Sequence, residues 1–97
     1  MLSAMSEILK ILKEHKLELF NKYPIESLAL FGSYSRGDNK KSSDVDIMVE
    51  LKNADFETFC NLSYHLKKIL KKKVDLVSRN GVKEKYYRYL EKDLKYV

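Results

Sequence analysis

Apolar residues at Met5, Ile8, Leu9, Leu12 and then Leu19 and Phe20 recur at spacings of three and four, the period of an amphipathic helix. The pattern predicts a helix over residues 3–22, stopped by Pro24. A first strand follows over 25–31, then one helical turn over 33–37 and a second strand over 45–51. Phe56, Phe59, Leu62, Leu66, Ile69 and Leu70 mark a helix over about 55–70, and 73–78 reads as a third strand. Asn80-Gly81 breaks the chain before a final helix near 82–92, and 94–97 can add a short edge strand. By pattern alone this order is α/β or α+β, with helices covering one face of a sheet. In the last helix, Tyr86, Tyr89 and Leu90 fall on one stripe and are expected in the core, while Tyr87 and Arg88 face elsewhere as a candidate partner surface.

At 97 residues the chain has room for a single domain spanning 1–97 and one modest core. Its 44% apolar and 34% charged residues describe a globular chain, not a disordered one. No apolar run reaches a membrane span, and no secretory signal pattern opens the sequence, so the reading is cytoplasmic. Cys60, the single cysteine, has no internal disulfide partner and is expected as a core or half-buried thiol. His15 and His65 bracket no carboxylate motif and are assigned no catalytic role. The net charge of +5 is concentrated at Lys67-Lys68 and Lys71-Lys72-Lys73, which read either as a solvated helix end or as an electropositive rim drawing in a triphosphate or an acidic partner. Direct nucleic-acid binding is not expected, because no reading motif is present.

The candidate chemistry lies between residues 29 and 50. Asp44 and Asp46 sit at i and i+2 at the head of a predicted strand, so their side chains share one face about 7 Å apart along the chain, while Val45 and Ile47 face a core. Mg²⁺ is satisfied by a few carboxylates, waters and substrate phosphates, and a pair of such ions can clamp both oxygens of an in-line phosphoryl displacement. Asp75, alternating with Val74 and Leu76 in the third strand, supplies a third carboxylate if that strand lies close by. Upstream, Gly32 permits a positive φ or a close ligand approach, Ser33 can cap a short helix facing an anion, and Arg36 lies near the same helical face with a guanidinium fork.

Gly32-Ser33-Tyr34-Ser35-Arg36-Gly37, a short polar link, Ser43-Asp44-Val45-Asp46 and the later Asp75 together resemble the minimal nucleotidyltransferases (MNT) of the DNA polymerase β superfamily, the antitoxins usually paired with HEPN-domain toxins. The resemblance covers nearly the whole chain and departs at Ser35, where alanine is more usual. It implies an α+β fold, the polymerase-β-like palm with a small mixed sheet and helices packed on it. It further implies transfer of AMP from ATP to a tyrosine hydroxyl of a HEPN toxin ribonuclease. Asp44, Asp46 and Asp75 would be the catalytic carboxylates and would hold two Mg²⁺ ions, and Gly32, Ser33 and Arg36 would bind the nucleotide. Two alternatives stay open on the sequence: an antitoxin that neutralises its partner by covering it, and transfer to a small molecule or an RNA end.

Overall fold

In the computed structural model, which describes residues 3–97, four strands form one mixed sheet with helices packed against it. Helix α1 (Ala4–Glu14) and helix α2 (Lys16–Lys22) lead into strand β1 (Ile25–Phe31), short helix α3 (Gly32–Arg36) and strand β2 (Val45–Leu51). Helix α4 (Phe56–Leu70), strand β3 (Val74–Ser78), a 3₁₀ turn (Arg79–Gly81), helix α5 (Glu84–Leu90), a second 3₁₀ turn (Glu91–Asp93) and strand β4 (Lys95–Tyr96) complete the chain. The single helix expected over 3–22 is two: His15 leaves the helical region at φ −99°, ψ 6°, and its ring Nδ1–H donates to the Ile11 carbonyl, completing the end of α1 with a side chain.

The strand order is β3-β2-β1-β4. β1 runs antiparallel to β2 and to β4, whereas β2 and β3 are parallel. A parallel pair needs a crossover, and α4 supplies it. Asp55 starts that helix by accepting the Thr58 amide at 2.9 Å, an ordinary N-cap. Lys71 ends it in the left-handed region at φ 54°.

One face of the sheet carries Leu28, Leu30, Val45, Ile47, Val49, Val74 and Leu76, and meets Ile8, Leu12, Leu19, Leu62, Leu66 and Leu70 from α1, α2 and α4 in one buried cluster. Truncating a fully buried leucine such as Leu62 or Leu66 costs about 2–5 kcal/mol, so this layer fixes the sheet on which everything else is mounted. Cys60 is exposed, contrary to expectation. It stands two residues before buried Leu62, roughly 200° round the helix at about 100° per residue, and so faces solvent.

The tyrosine stripe is also reversed. Tyr86 and Tyr89 are 56% and 77% exposed, while half-buried Tyr87 takes the Arg79 guanidinium 3.5 Å from its ring centroid. Arg79 comes from the 3₁₀ turn before α5, so a tertiary cation–π contact decides which tyrosine turns inward. Arg88 is exposed as expected.

Candidate active site

The alternation of β2 sends Val45, Ile47 and Val49 into the core and leaves Asp46 on the opposite face. Asp75 is its register partner on the neighbouring parallel strand, and Phe31 its partner on β1. Neighbouring strands lie about 4.8 Å apart, so Asp46 and Asp75 stand side by side. Asp44 comes two residues earlier, just before β2, with an exposed side chain.

Gly32 closes the other flank of Asp46. It adopts φ +73°, and a Cβ built on it would lie 2.1 Å from Asp46 Oδ2 and 2.9 Å from its Cγ. Both the backbone conformation and the room for the carboxylate therefore require glycine here. Half-buried Ser33 follows. It does not cap α3: the N-cap position is Phe31, which offers no side-chain acceptor, so among the described residues no cap side chain bonds the first amides of the turn.

The electrostatics bind the three aspartates into one set. Burial pushes the pKa of Asp46 upward, and the charges of Asp75 and then Asp44 push it further, against a smaller opposing pull from Arg36. Asp46 is thus a half-buried carboxylate with two like-charged neighbours, an arrangement that a cation relieves. Among the described residues no three His, Cys, Asp or Glu side chains already enclose a point where an ion would sit. Mg²⁺ keeps waters and substrate oxygens in its shell and uses only one or two carboxylates, which the neighbouring Asp46 and Asp75 can supply. The donor chemistry of the site fits the implied ion.

Arg36 is engaged elsewhere. Its Nε donates to Asp38 at 3.2 Å and its Nη1 to Asp93 at 3.3 Å, which ties the end of α3 to the C-terminal 3₁₀ turn. Buried Ser35 reinforces the same junction by donating its hydroxyl to the Asp93 carbonyl. This role of Ser35 was not readable from the sequence, since its partner is 58 residues away. Ser35 thus anchors the C-terminal segment to α3.

A separate groove of about 750 Å³ between α2 and α4 holds none of these residues. There Tyr23 hydrogen-bonds His65 Nδ1 at 3.1 Å, and His65 Nε2 meets Glu18 at 2.9 Å. The two helices are pinned together by this array.

The sequence profile of the polymerase beta nucleotidyltransferases matches residues 6–93. The chain belongs to that family. This nucleotidyltransferase is 45% identical over 82 residues to a candidate protein adenylyltransferase of Methanocaldococcus jannaschii, an alignment covering 84% of the chain and 95% of the relative. It is 34% identical over 94 residues to the protein adenylyltransferase MntA of Thermococcus cleftensis, covering 96% and 95%. Among solved structures, a minimal nucleotidyltransferase superposes with a TM-score of 0.79 at 24% identity, over 92% of each chain. A toxin–antitoxin complex solved with AMP-PNP contains a chain that superposes with a TM-score of 0.60 at 28% identity, over 73% of this nucleotidyltransferase and 60% of that chain. A complex of tri-AMPylated Shewanella oneidensis HEPN toxin with its MNT antitoxin gives 0.59 at 24% identity, over 96% and 67%. The polymerase-β-like fold expected from the sequence is the one observed.

Proposed function

We propose that this nucleotidyltransferase moves AMP from ATP to a protein hydroxyl, the acceptor being a tyrosine of a HEPN-domain toxin that it thereby silences. The observation that carries the reading is the Asp46–Asp75 register pair held against Gly32. It offers adjacent carboxylates on one flank and a glycine turn with uncapped amides on the other. The names of the relatives, and the AMP-PNP and AMPylated-toxin complexes among the structural neighbours, support the choice of donor, acceptor class and partner.

In this reading Asp44 and Asp46 hold two Mg²⁺ ions, with Asp75 completing the set. When bound, the ions neutralise phosphate charge and polarise the reacting oxygens. The chain's own residues do the rest. Gly32 and Ser33 present backbone amides and the Ser33 hydroxyl to the triphosphate. Asp75, exposed at the edge strand, accepts the proton of the incoming hydroxyl. Arg36, braced between Asp38 and Asp93, orients the turn. The hydroxyl oxygen forms its new bond to the α-phosphorus as the bond to the β-phosphate oxygen breaks and pyrophosphate leaves. Positioning and charge complementarity supply most of the catalysis in chemistry of this kind.

The test is intact-mass analysis of the HEPN partner after incubation with this protein, ATP and Mg²⁺, beside a protein carrying Asp44→Ala and Asp46→Ala. Added AMP with the wild type and none with the variant is the expected result. An unmodified partner in a stable, neutralised complex would instead assign the antitoxin action to binding alone.

A further inference from the structure

Strand β3 lies at one edge of the sheet, and among the described residues β2 is its only paired neighbour. The Val45 amide donates to the Lys73 carbonyl at 2.9 Å, which fixes the direction of every peptide group that follows. Lys73, Asp75 and Val77 turn their backbone groups toward β2. Val74, Leu76 and Ser78 therefore turn theirs outward, where among the described residues no other backbone group bonds them. Such a row of free N–H and C=O groups is a template for another strand, and proteins blunt the edges they do not use with proline, lysine or a bulge. Val74–Ser78 contains no proline or lysine, and its register with β2 is unbroken. At the opposite edge of the sheet, β4 is cut to two residues.

The same edge is the side from which an acceptor has to come. An in-line displacement sets the attacking oxygen opposite the departing pyrophosphate. The turn proposed to hold the phosphates reaches Asp46 from β1 through Gly32, so attack comes from the β3 flank, across exposed Asp75. An antiparallel strand added to β3 would make its hydrogen-bonded pairs with Val74 and Leu76. The residue between those pairs would face Asp75 in a narrow, non-hydrogen-bonded pair, with Cα atoms about 4.5 Å apart and both side chains on one face. A tyrosine is longer than an aspartate, so its hydroxyl would stand beyond the Asp75 carboxylate, on the face that Asp46 shares. Resting on the proposed function, we infer that the acceptor protein docks by adding an extended segment antiparallel to the free edge of β3, with its target tyrosine opposite Asp75. Main-chain bonds to Val74 and Leu76 hold the segment and set its register. The second and third residues after the tyrosine then lie opposite exposed Lys73 and Lys72, where acidic side chains complement the charge.

The outward amide of Leu76 allows a direct test. Ligation at Cys60, the single cysteine, joins residues 1–59 to a synthetic segment 60–97 that carries a methyl group on the Leu76 backbone nitrogen. The methyl removes an N–H outside the ladder to β2, so Tm and affinity for ATP should match those of the ligated protein without it. Affinity for the HEPN partner, measured without ATP, should fall about tenfold or more, and kcat/KM for AMP transfer to that partner should fall with it. Ser78→Pro is the recombinant counterpart. The φ of −84° at Ser78 suits a proline ring, and the N–H lost there also faces outward, so partner binding should weaken while Tm holds. If methylation itself lowers Tm, the Ser78→Pro comparison decides in its place. Unchanged partner affinity overturns the inference. A concentration-dependent dimer of the unmodified protein that methylation abolishes would assign the edge to a second copy of this chain, and overturns it too. If the wild type adds no AMP, the proposed function fails, while partner affinity with and without the methyl group still decides whether the β3 edge is the docking surface.

Discussion

Replacing Gly32 by alanine tests the geometry of the site more sharply than removing a carboxylate. Two separate penalties follow from the structure. The backbone at φ +73° is one that residues with a Cβ adopt at a cost of about 1–2 kcal/mol. For a domain of this size that lowers Tm by roughly 4–16 °C, at about 4–8 °C per kcal/mol. The second penalty falls on Asp46. The new Cβ would lie 2.1 Å from Oδ2, and ordinary contact begins at 3.4 Å, so the carboxylate oxygen must retreat by about 1.3 Å. Misplacement of a reacting group by about 1 Å can cost 10²-fold in rate, close to 3 kcal/mol of transition-state stabilisation at 1.36 kcal/mol per tenfold. Gly37 provides the matching control. Its φ of +84° imposes similar strain on an alanine, but nothing lies within 4 Å of the added Cβ. Gly37→Ala should therefore lose comparable Tm and keep its activity, while Gly32→Ala loses about 100-fold in kcat/KM for AMP transfer. Thermal melts and initial rates on both variants decide the matter. Equal activity in the two proteins would show that the position of Asp46 against Gly32 does not matter for turnover.

Asp46→Asn should abolish transfer yet raise the Tm of metal-free protein at neutral pH. The folded protein raises the pKa of Asp46 above its ordinary 3.8, so the native state holds the proton more tightly than the unfolded chain. Stability is then lost as pH rises from 3.8 through the folded pKa, and melts in EDTA should show the variant's advantage opening over that interval and persisting above it. Added Mg²⁺ should raise the wild-type Tm and leave that of Asp46→Asn nearly unchanged. Ser35→Ala removes the hydroxyl donated to the Asp93 carbonyl; the loss of about 1 kcal/mol should appear as a lower Tm and faster amide exchange in the last residues. Arg36→Gln should lower Tm only slightly, as exposed ion pairs contribute little, yet raise the KM for ATP, because it frees the turn that Arg36 braces against Asp38 and Asp93; steady-state kinetics can check this.

The elements that carry the site were legible because their signals are local. Val45 and Ile47 alternate with Asp46, and the observed β2 (Val45–Leu51) sends Val45 and Ile47 into the core with Asp46 on the other face. The parallel pairing of Asp46 with Asp75 was legible only as a possibility of distance, since register between strands separated by a crossover helix is set by how α4 packs. The break at His15 carries no Gly or Pro signal and arises from a side chain bonding its own helix. The tyrosines of the last helix fall on several faces, and a stripe in the sequence cannot reveal that Arg79 receives Tyr87. Cys60, by contrast, could have been placed correctly from its angular distance to Leu62. The anchoring of α3 by Asp93 joins residues that only the folded chain brings together.

If the carboxylates beside Gly32 transfer a nucleotide, the fate of a labelled phosphate will show it. ATP labelled at the α-phosphate or at the γ-phosphate should be incubated in parallel with this protein, Mg²⁺ and the HEPN partner, with Asp46→Asn alongside. The α-label should become covalently attached to the partner and the γ-label should leave in pyrophosphate, and Asp46→Asn should do neither. Attachment of the γ-label, or attachment of the α-label at wild-type rate by Asp46→Asn, would contradict it.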